Sequence, residues 1–272
     1  MIINTIEAHY YREDLYGQII NGLTQLGVDL NQVTRNDLAP VDEFHVRGAA
    51  VSRELANSVN LHNTKLLDVG CGIGGPCRML ADEFNCQTTG IDLSQVYVNT
   101  ATQLSQLVSF ESQTQFVQGD ATQLPFPDAS FDVVWTQHVQ MNIADKEKFY
   151  SEIDRVLVKG GVFIYYDIFK KGAQEVSYPM PWATDASMSF LEPPTTMEGI
   201  LSSLGLRGEM VTDQTIHGVE FFEKLLEKTS QSGPPKLGLN LLMGATTKDK
   251  IVHLLQALQT EKLMLQSGVY RK

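Results

Sequence analysis

Leu66-Leu67-Asp68-Val69-Gly70-Cys71-Gly72-Ile73-Gly74-Gly75 is the stretch on which the fold turns. An apolar run of four, interrupted only by Asp68, reads as a buried strand. The glycines after it let the backbone turn tightly, approach a ligand and enter a helix over residues 77–84, whose N-terminal dipole favours negative groups. Outward from this turn the pattern repeats. Thr88-Thr89-Gly90-Ile91, Gln115-Phe116-Val117, Phe131-Asp132-Val133-Val134-Trp135 and Val162-Phe163-Ile164-Tyr165-Tyr166 are short strand-like runs separated by helical stretches. Such alternation predicts βαβ units and a parallel sheet covered on both faces.

The helix before the last of these runs carries Phe149, Ile153, Val156 and Leu157 on one face and is expected to end at Lys159-Gly160-Gly161. Residues 1–60 read as a helical extension, with Val51, Leu55 and Val59 as one stripe, ahead of a core over 61–272. Beyond residue 170, Pro179, Pro181, Pro193 and Pro194 mark a long loop. A helix over 195–204 stops at Gly205, and a strand is expected around 208–215. Helices over 217–230 and 248–261, the second with Ile251, Leu254, Leu255 and Leu258 in step, flank a Gly233-Pro234-Pro235 break. The segment of about 217–260 is thus a helical insertion and a candidate lid, as is the loop over 172–200.

The chain has 272 residues, 43% of them hydrophobic and 19% charged, enough apolar content for a sizeable core. Its 21 basic and 32 acidic residues leave a net charge of -11, which argues against nucleic acid and anionic membranes as partners. Three cysteines crowded between Cys71 and Cys86 suit a reduced, cytoplasmic protein better than a disulfide framework. Cys71 and Cys77 have no second pair of ligands at zinc-like spacing, so no metal is expected.

Gly70, Gly72 and Gly75 satisfy a dinucleotide fingerprint, with Asp92 ending the next strand where an acid would hold ribose hydroxyls. Asp68, two residues before the first glycine, is unfavourable beside a pyrophosphate and suited to a cationic amino-acid group. Asp120, in Gly119-Asp120-Ala121, can accept a hydrogen bond from an adenine amino group. Together these describe a pocket for S-adenosylmethionine, to which Cys71, Gly74, Leu93, Ala121 and Gln137 are further candidate contacts. Asp132 reads as a structural residue in a turn entering a strand.

Over residues 65–169 the sequence resembles the class I S-adenosylmethionine-dependent methyltransferases. Thr136-Gln137-His138-Val139-Gln140-Met141-Asn142-Ile143, Asp167-Ile168-Phe169, Tyr178-Pro179-Met180-Pro181-Trp182 and Asp42-Glu43-Phe44-His45-Val46-Arg47-Gly48 are similar to the small-molecule branch that includes sarcosine and dimethylglycine N-methyltransferases. The resemblance implies a doubly wound, Rossmann-like sheet of seven strands, mostly parallel, with one antiparallel strand over 263–271. It also implies methyl transfer to a small metabolite. An amine such as sarcosine or dimethylglycine is the first expectation, and a C- or O-methyltransferase of a quinone or phenol is the alternative. A nicotinamide-dependent oxidoreductase and a non-catalytic S-adenosylmethionine-binding module are further alternatives. His138, at the carboxyl edge of the fourth strand, is the expected proton acceptor. Tyr10, Tyr11, Tyr178 and Trp182 could wall an ammonium group, Arg47 could clamp a carboxylate, and Gln140 and Asn142 complete the expected substrate contacts. The oligomeric state is left open, a homodimer included.

Overall fold

The computed structural model describes residues 2–233 and 235–272, so Pro234 of the expected break lies outside the described residues. Four helices come first: α1 (Ile2–Tyr10), α2 (Leu15–Gln25), α3 (Arg35–Asp42) and α4 (Ala49–Ala56). The alternating core follows as β1 (Lys65–Val69), α5 (Gly75–Phe84), β2 (Gln87–Asp92), α6 (Gln95–Leu107), β3 (Thr114–Gln118), β4 (Phe131–Gln137), α7 (Lys146–Val156) and β5 (Leu157–Lys170). The rest is α8 (Pro194–Ser203), β6 (Arg207–Asp213), α9 (Thr215–Ser232), α10 (Asn240–Met243), α11 (Thr247–Gln259) and β7 (Leu263–Arg271).

The strands form one sheet in the order β3-β2-β1-β4-β5-β7-β6. β1 lies parallel to β2 and β4, β2 to β3 and β4 to β5, while β7 runs antiparallel to both β5 and β6. This is the expected seven-stranded, doubly wound, mostly parallel sheet. Successive strand residues point to opposite faces. Leu66, Val133, Trp135, Ile164 and Tyr166 therefore enter one apolar cluster, and Leu67, Val134, Phe163 and Tyr165 enter another. Asp132 accepts a hydrogen bond from the Lys65 amide at 2.8 Å, which ties the start of β1 to β4.

One boundary differs from the periodicity. α7 ends at Val156, and Leu157 opens β5 instead of completing the helix face. Pairing with β4 jumps from Phe131↔Leu157 to Val133↔Val162, so Lys159-Gly160-Gly161 forms an irregular bend inside a strand. Gly160 has φ +80°, and a Cβ on Gly161 would sit 2.8 Å from the Val158 carbonyl and 3.0 Å from that of Asp132. The two glycines serve strand pairing, where the sequence pattern suggested a helix terminus.

The helices outside the alternating core pack on its helices and on β7. Leu15, Ile19 and Leu23 of α2 share a buried cluster with Tyr97 and Leu104 of α6 and with Leu237 and Leu242. α9, α10 and α11, which connect β6 to β7 in the chain, pack Phe222, Met243, Ile251 and Leu254 into the cluster that holds Trp135 and Trp182. Among the described residues no helix is long and apolar enough to cross a membrane.

Candidate functional site

A cavity of about 360 Å3 opens at the carboxyl ends of β1, β2 and β4, beneath α1 and the segment after α3. Ligands of open α/β sheets bind at this edge, because the strand order reverses there and leaves a crevice. The turn after β1 is built by left-handed backbone. Gly70 has φ +77°, and a Cβ there would lie 2.4 Å from Val139 Cγ2, so the close approach of the two turns requires glycine. Gly72 has φ +54° with open space where its Cβ would stand. Its amide donates to Asp92 Oδ2 at 2.9 Å, and the Ser94 amide donates to Asp92 Oδ1 at 2.9 Å, which holds the carboxylate at the end of β2.

The charge pattern of the cavity is one-sided. Asp68 is buried, and among the described residues its one side-chain partner is the Cys77 thiol at 3.5 Å. Burial, with the charges of Asp92 and Glu43 nearby, pushes the Asp68 carboxyl up to about 7. Burial likewise raises Asp92 to about 6, against the two amide bonds that favour its ionised form. A cation entering beside Asp68 would find a carboxyl without a counter-ion. Asp120 lies further along the wall, and its Oδ1 accepts from the Thr122 amide and hydroxyl, both at 2.8 Å.

Across the cavity stands the turn after β4. His138 adopts φ +54°, a conformation that costs a non-glycine residue roughly 1–2 kcal/mol. The turn is pinned by Asp167, whose Oδ2 accepts from the Val139 and Gln140 amides and whose Oδ1 accepts from Ile168. The buried Nε2 of His138 has no hydrogen-bond partner among the described residues. Burial and the neighbouring His45 press the pKa of His138 well below its ordinary value. Tyr10, Phe44, His45 and His138 line both this cavity and an adjoining apolar annex of about 60 Å3. The annex is closed by Met141, Trp182, Phe222, Leu225, Ile251 and Leu254.

Asp68, Gly70, Cys71, Gly72, Asp92, Leu93, Asp120, Ala121, Gln137, His138, Tyr10 and Asn142 all line the cavity. Tyr10 donates to Asn142 Oδ1 at 2.8 Å, which fastens α1 across the opening. Other expected site residues are placed elsewhere. Gly74 caps α5, with Phe116 and Arg78 crowding its Cβ direction. Arg47 is bonded to Glu54 and Gln214. Gln140 donates to the Ile168 carbonyl, and Tyr11 is 58% exposed. Tyr178 packs against the core, and Trp182 sits in the annex with its indole N–H on Ser189 Oγ at 3.0 Å. Among the lining residues that the sequence pattern did not single out as site candidates are Asp42, Phe44, His45 and Tyr97, of which His45 carries an imidazole. Its signal lies in Asp42-Glu43-Phe44-His45, where an acid precedes a histidine by two residues.

Residues 67–165 match the family model described as a methyltransferase domain. Over 114 residues the chain is 37% identical to a sterol 24-C-methyltransferase of Gibberella zeae, which covers 42% of this chain and 30% of that protein. Over 113 residues it is 39% identical to the 2-methyl-6-phytyl-1,4-hydroquinone methyltransferase of Synechocystis, covering 42% of this chain and 35% of that one. The matched stretch thus spans about a third of the length of these curated relatives. Among solved structures, a Galdieria sulphuraria protein provisionally described as a sarcosine dimethylglycine methyltransferase superposes with a TM-score of 0.68 at 20% identity. That likeness covers 82% of this chain and 86% of the other, and it shows a shared fold.

Proposed function

We infer that this chain, which contains an S-adenosylmethionine-dependent methyltransferase domain over residues 67–165, binds S-adenosylmethionine in the cavity and methylates the oxygen or ring carbon of a small phenol or quinol. The observation that carries the cofactor reading is the buried, uncompensated Asp68 beside the glycine turn. Asp68 would take the ammonium group, Asp92 the ribose hydroxyls and Asp120 the adenine amino group. Open space at Gly72 leaves room for the backbone to approach the amino-acid part. A nicotinamide dinucleotide fits less well, since its pyrophosphate would meet the same carboxyl. When bound, the sulfonium supplies an activated methyl group. The chain's part is then to hold the acceptor in line and keep water out, a source worth roughly 7–11 kcal/mol at most.

The acceptor reading rests on the apolar annex, which runs on from the cavity and favours a hydrocarbon-bearing ring. The sarcosine or dimethylglycine reading has less support. Arg47, the expected carboxylate clamp, is engaged by Glu54 and Gln214. The sterol and hydroquinone relatives favour the C- or O-methyl alternative in the same direction. The test is calorimetry with S-adenosylmethionine and S-adenosylhomocysteine, followed by turnover on a phenol, a quinol, sarcosine and dimethylglycine. Binding and turnover on the phenol or quinol are expected. Turnover on the amines alone would overturn the acceptor assignment, and absence of binding by folded protein would overturn the cofactor assignment.

A further inference from the structure

Behind the junction of cavity and annex lies a chain of hydrogen bonds whose directions can be worked out from its ends. Trp135 has only a donor to offer, and its Nε1–H donates to Gln137 Oε1 at 2.9 Å. The Gln137 amide nitrogen therefore faces Ser52 Oγ at 3.1 Å and donates to it. Ser52, having accepted that bond, donates its own hydrogen to Glu43 Oε2 at 2.6 Å. Burial opposes ionisation of Glu43, yet the bonds from His45 and Ser52 hold its carboxyl below the ordinary value, so it is an acceptor only.

The chain ends on His45. Its Nε2 lies 3.1 Å from Glu43 Oε2 and 3.1 Å from the Gly48 carbonyl oxygen, two groups that can only accept. Ser52 Oγ and Gln137 Nε2 are also 3.1 Å away; the serine's hydrogen is spent on Glu43, and a bond from the amide's second hydrogen to a bare Nε2 would leave both oxygens facing a lone pair. Two acceptor-only oxygens against one shared donor place the hydrogen on Nε2. Nδ1 is then left with a lone pair, and no described residue bonds it, on a ring that lines both cavity and annex. His138 has no such support. Its ring faces His45 and Tyr166, and among the described residues no carboxylate is bonded to it to balance an imidazolium.

We propose that His45, held in the Nε2–H tautomer by Glu43, takes the hydroxyl proton of the methyl acceptor at Nδ1, and that His138 only borders the acceptor. The assignment rests on the phenol or quinol reading above. In the step, the acceptor's O–H bond breaks and its proton passes to His45 Nδ1. The oxygen uses the freed electron pair to bond the methyl carbon, and the donor sulfur keeps the pair of the S–CH3 bond that breaks. The imidazolium, stabilised by Glu43, gives its proton to water after product leaves. Glu43 acts through His45 and is a positioning residue.

The test combines kinetics of His45→Gln, His45→Asn, Glu43→Gln and His138→Gln with 15N NMR of the free wild-type protein. Both His45 variants are expected to lose about 100-fold or more in kcat, the scale of a lost general base, with KM for the acceptor and S-adenosylhomocysteine binding little changed. Glu43→Gln, nearly isosteric, is expected to lower kcat in the same way, and His138→Gln to lose less than either His45 variant. The nitrogen shifts should report a bare Nδ1 and a protonated Nε2 on His45. An Nδ1–H tautomer, or a His45 variant that binds S-adenosylhomocysteine and keeps wild-type kcat, overturns the proposal. If one substitution prevents folding, the others and the wild-type tautomer decide. Wild-type protein that binds S-adenosylmethionine and methylates no phenol or quinol overturns the acceptor reading itself, and this assignment with it, before any variant is compared.

Discussion

Under the cofactor reading proposed above, Asp68 is a buried carboxyl that selects a ligand and weakens the empty protein at once. Its folded-state value of about 7 stands above the ordinary unfolded value of roughly 3.9. Between those limits the folded protein holds a proton that the unfolded chain has released. The stability that this protonation contributes is fully present below about pH 4 and is lost as pH rises through about 7. Asp68→Asn is therefore expected to raise the melting temperature of ligand-free protein at pH 8 and to change it little at pH 4.5, measured by scanning calorimetry. The same ionisation works in the other direction on binding. Affinity for S-adenosylhomocysteine, titrated from pH 5.5 to 8 in wild-type protein, should rise as Asp68 loses its proton, and Asp68→Asn should abolish it.

At the scale of elements, the cavity's outer wall depends on how α3 docks on the start of α5. Arg78 is fully buried and donates to Asp42, to the Ile73 carbonyl at 2.8 Å and to the Ala101 carbonyl at 3.3 Å. Burial raises the Asp42 carboxyl against the pull of Arg78, so the pair is a junction whose halves need one another. Gly75 completes it, since a Cβ there would meet the Asp42 carbonyl oxygen at 1.9 Å. Removing one partner strands the other charge. Asp42→Ala is expected to cost about 3–5 kcal/mol in chemical denaturation, while a surface pair such as Arg271 with Glu209 should cost below about 1 kcal/mol. This junction also shows where the pattern in the sequence stopped short. The fingerprint places Gly75 as a helix-entry glycine, yet the atoms that demand it belong to a residue more than thirty positions earlier.

For the whole molecule, the annex proposed to hold the acceptor is assembled from parts far apart in the chain. α1 and the Phe44–His45 segment supply one side, the turn after β4 a second, and Trp182 with α9 and α11 a third. The annex is the test of that arrangement. Leu254→Trp should fill it and raise KM for a hydrocarbon-bearing phenol by about tenfold, equivalent to ~1.4 kcal/mol, with S-adenosylhomocysteine affinity unchanged. Overpacking should also cost roughly 1–3 kcal/mol of stability, read in the same denaturation assay.

The sequence alone determined the alternating core, the glycine turn and the strand-end positions of Asp68, Asp92 and Asp120, which line one cavity, because each is written locally: an apolar run of period suited to a buried strand, then a glycine turn or an acid at its end. It also placed β7 by resemblance, and the sheet bears that out. Tertiary structure alone decided that Arg47 and Gln140 are spent on structural bonds, that His45 stands at the cavity with Glu43 behind it, and that Trp182 walls an apolar annex. Whether a polar side chain meets a ligand or another part of the protein depends on which distant segment folds against it. No periodicity records that choice, since contacts that settle it reach across the chain, 28 positions between Gln140 and Ile168, 85 between Gln137 and Ser52 and 167 between Arg47 and Gln214.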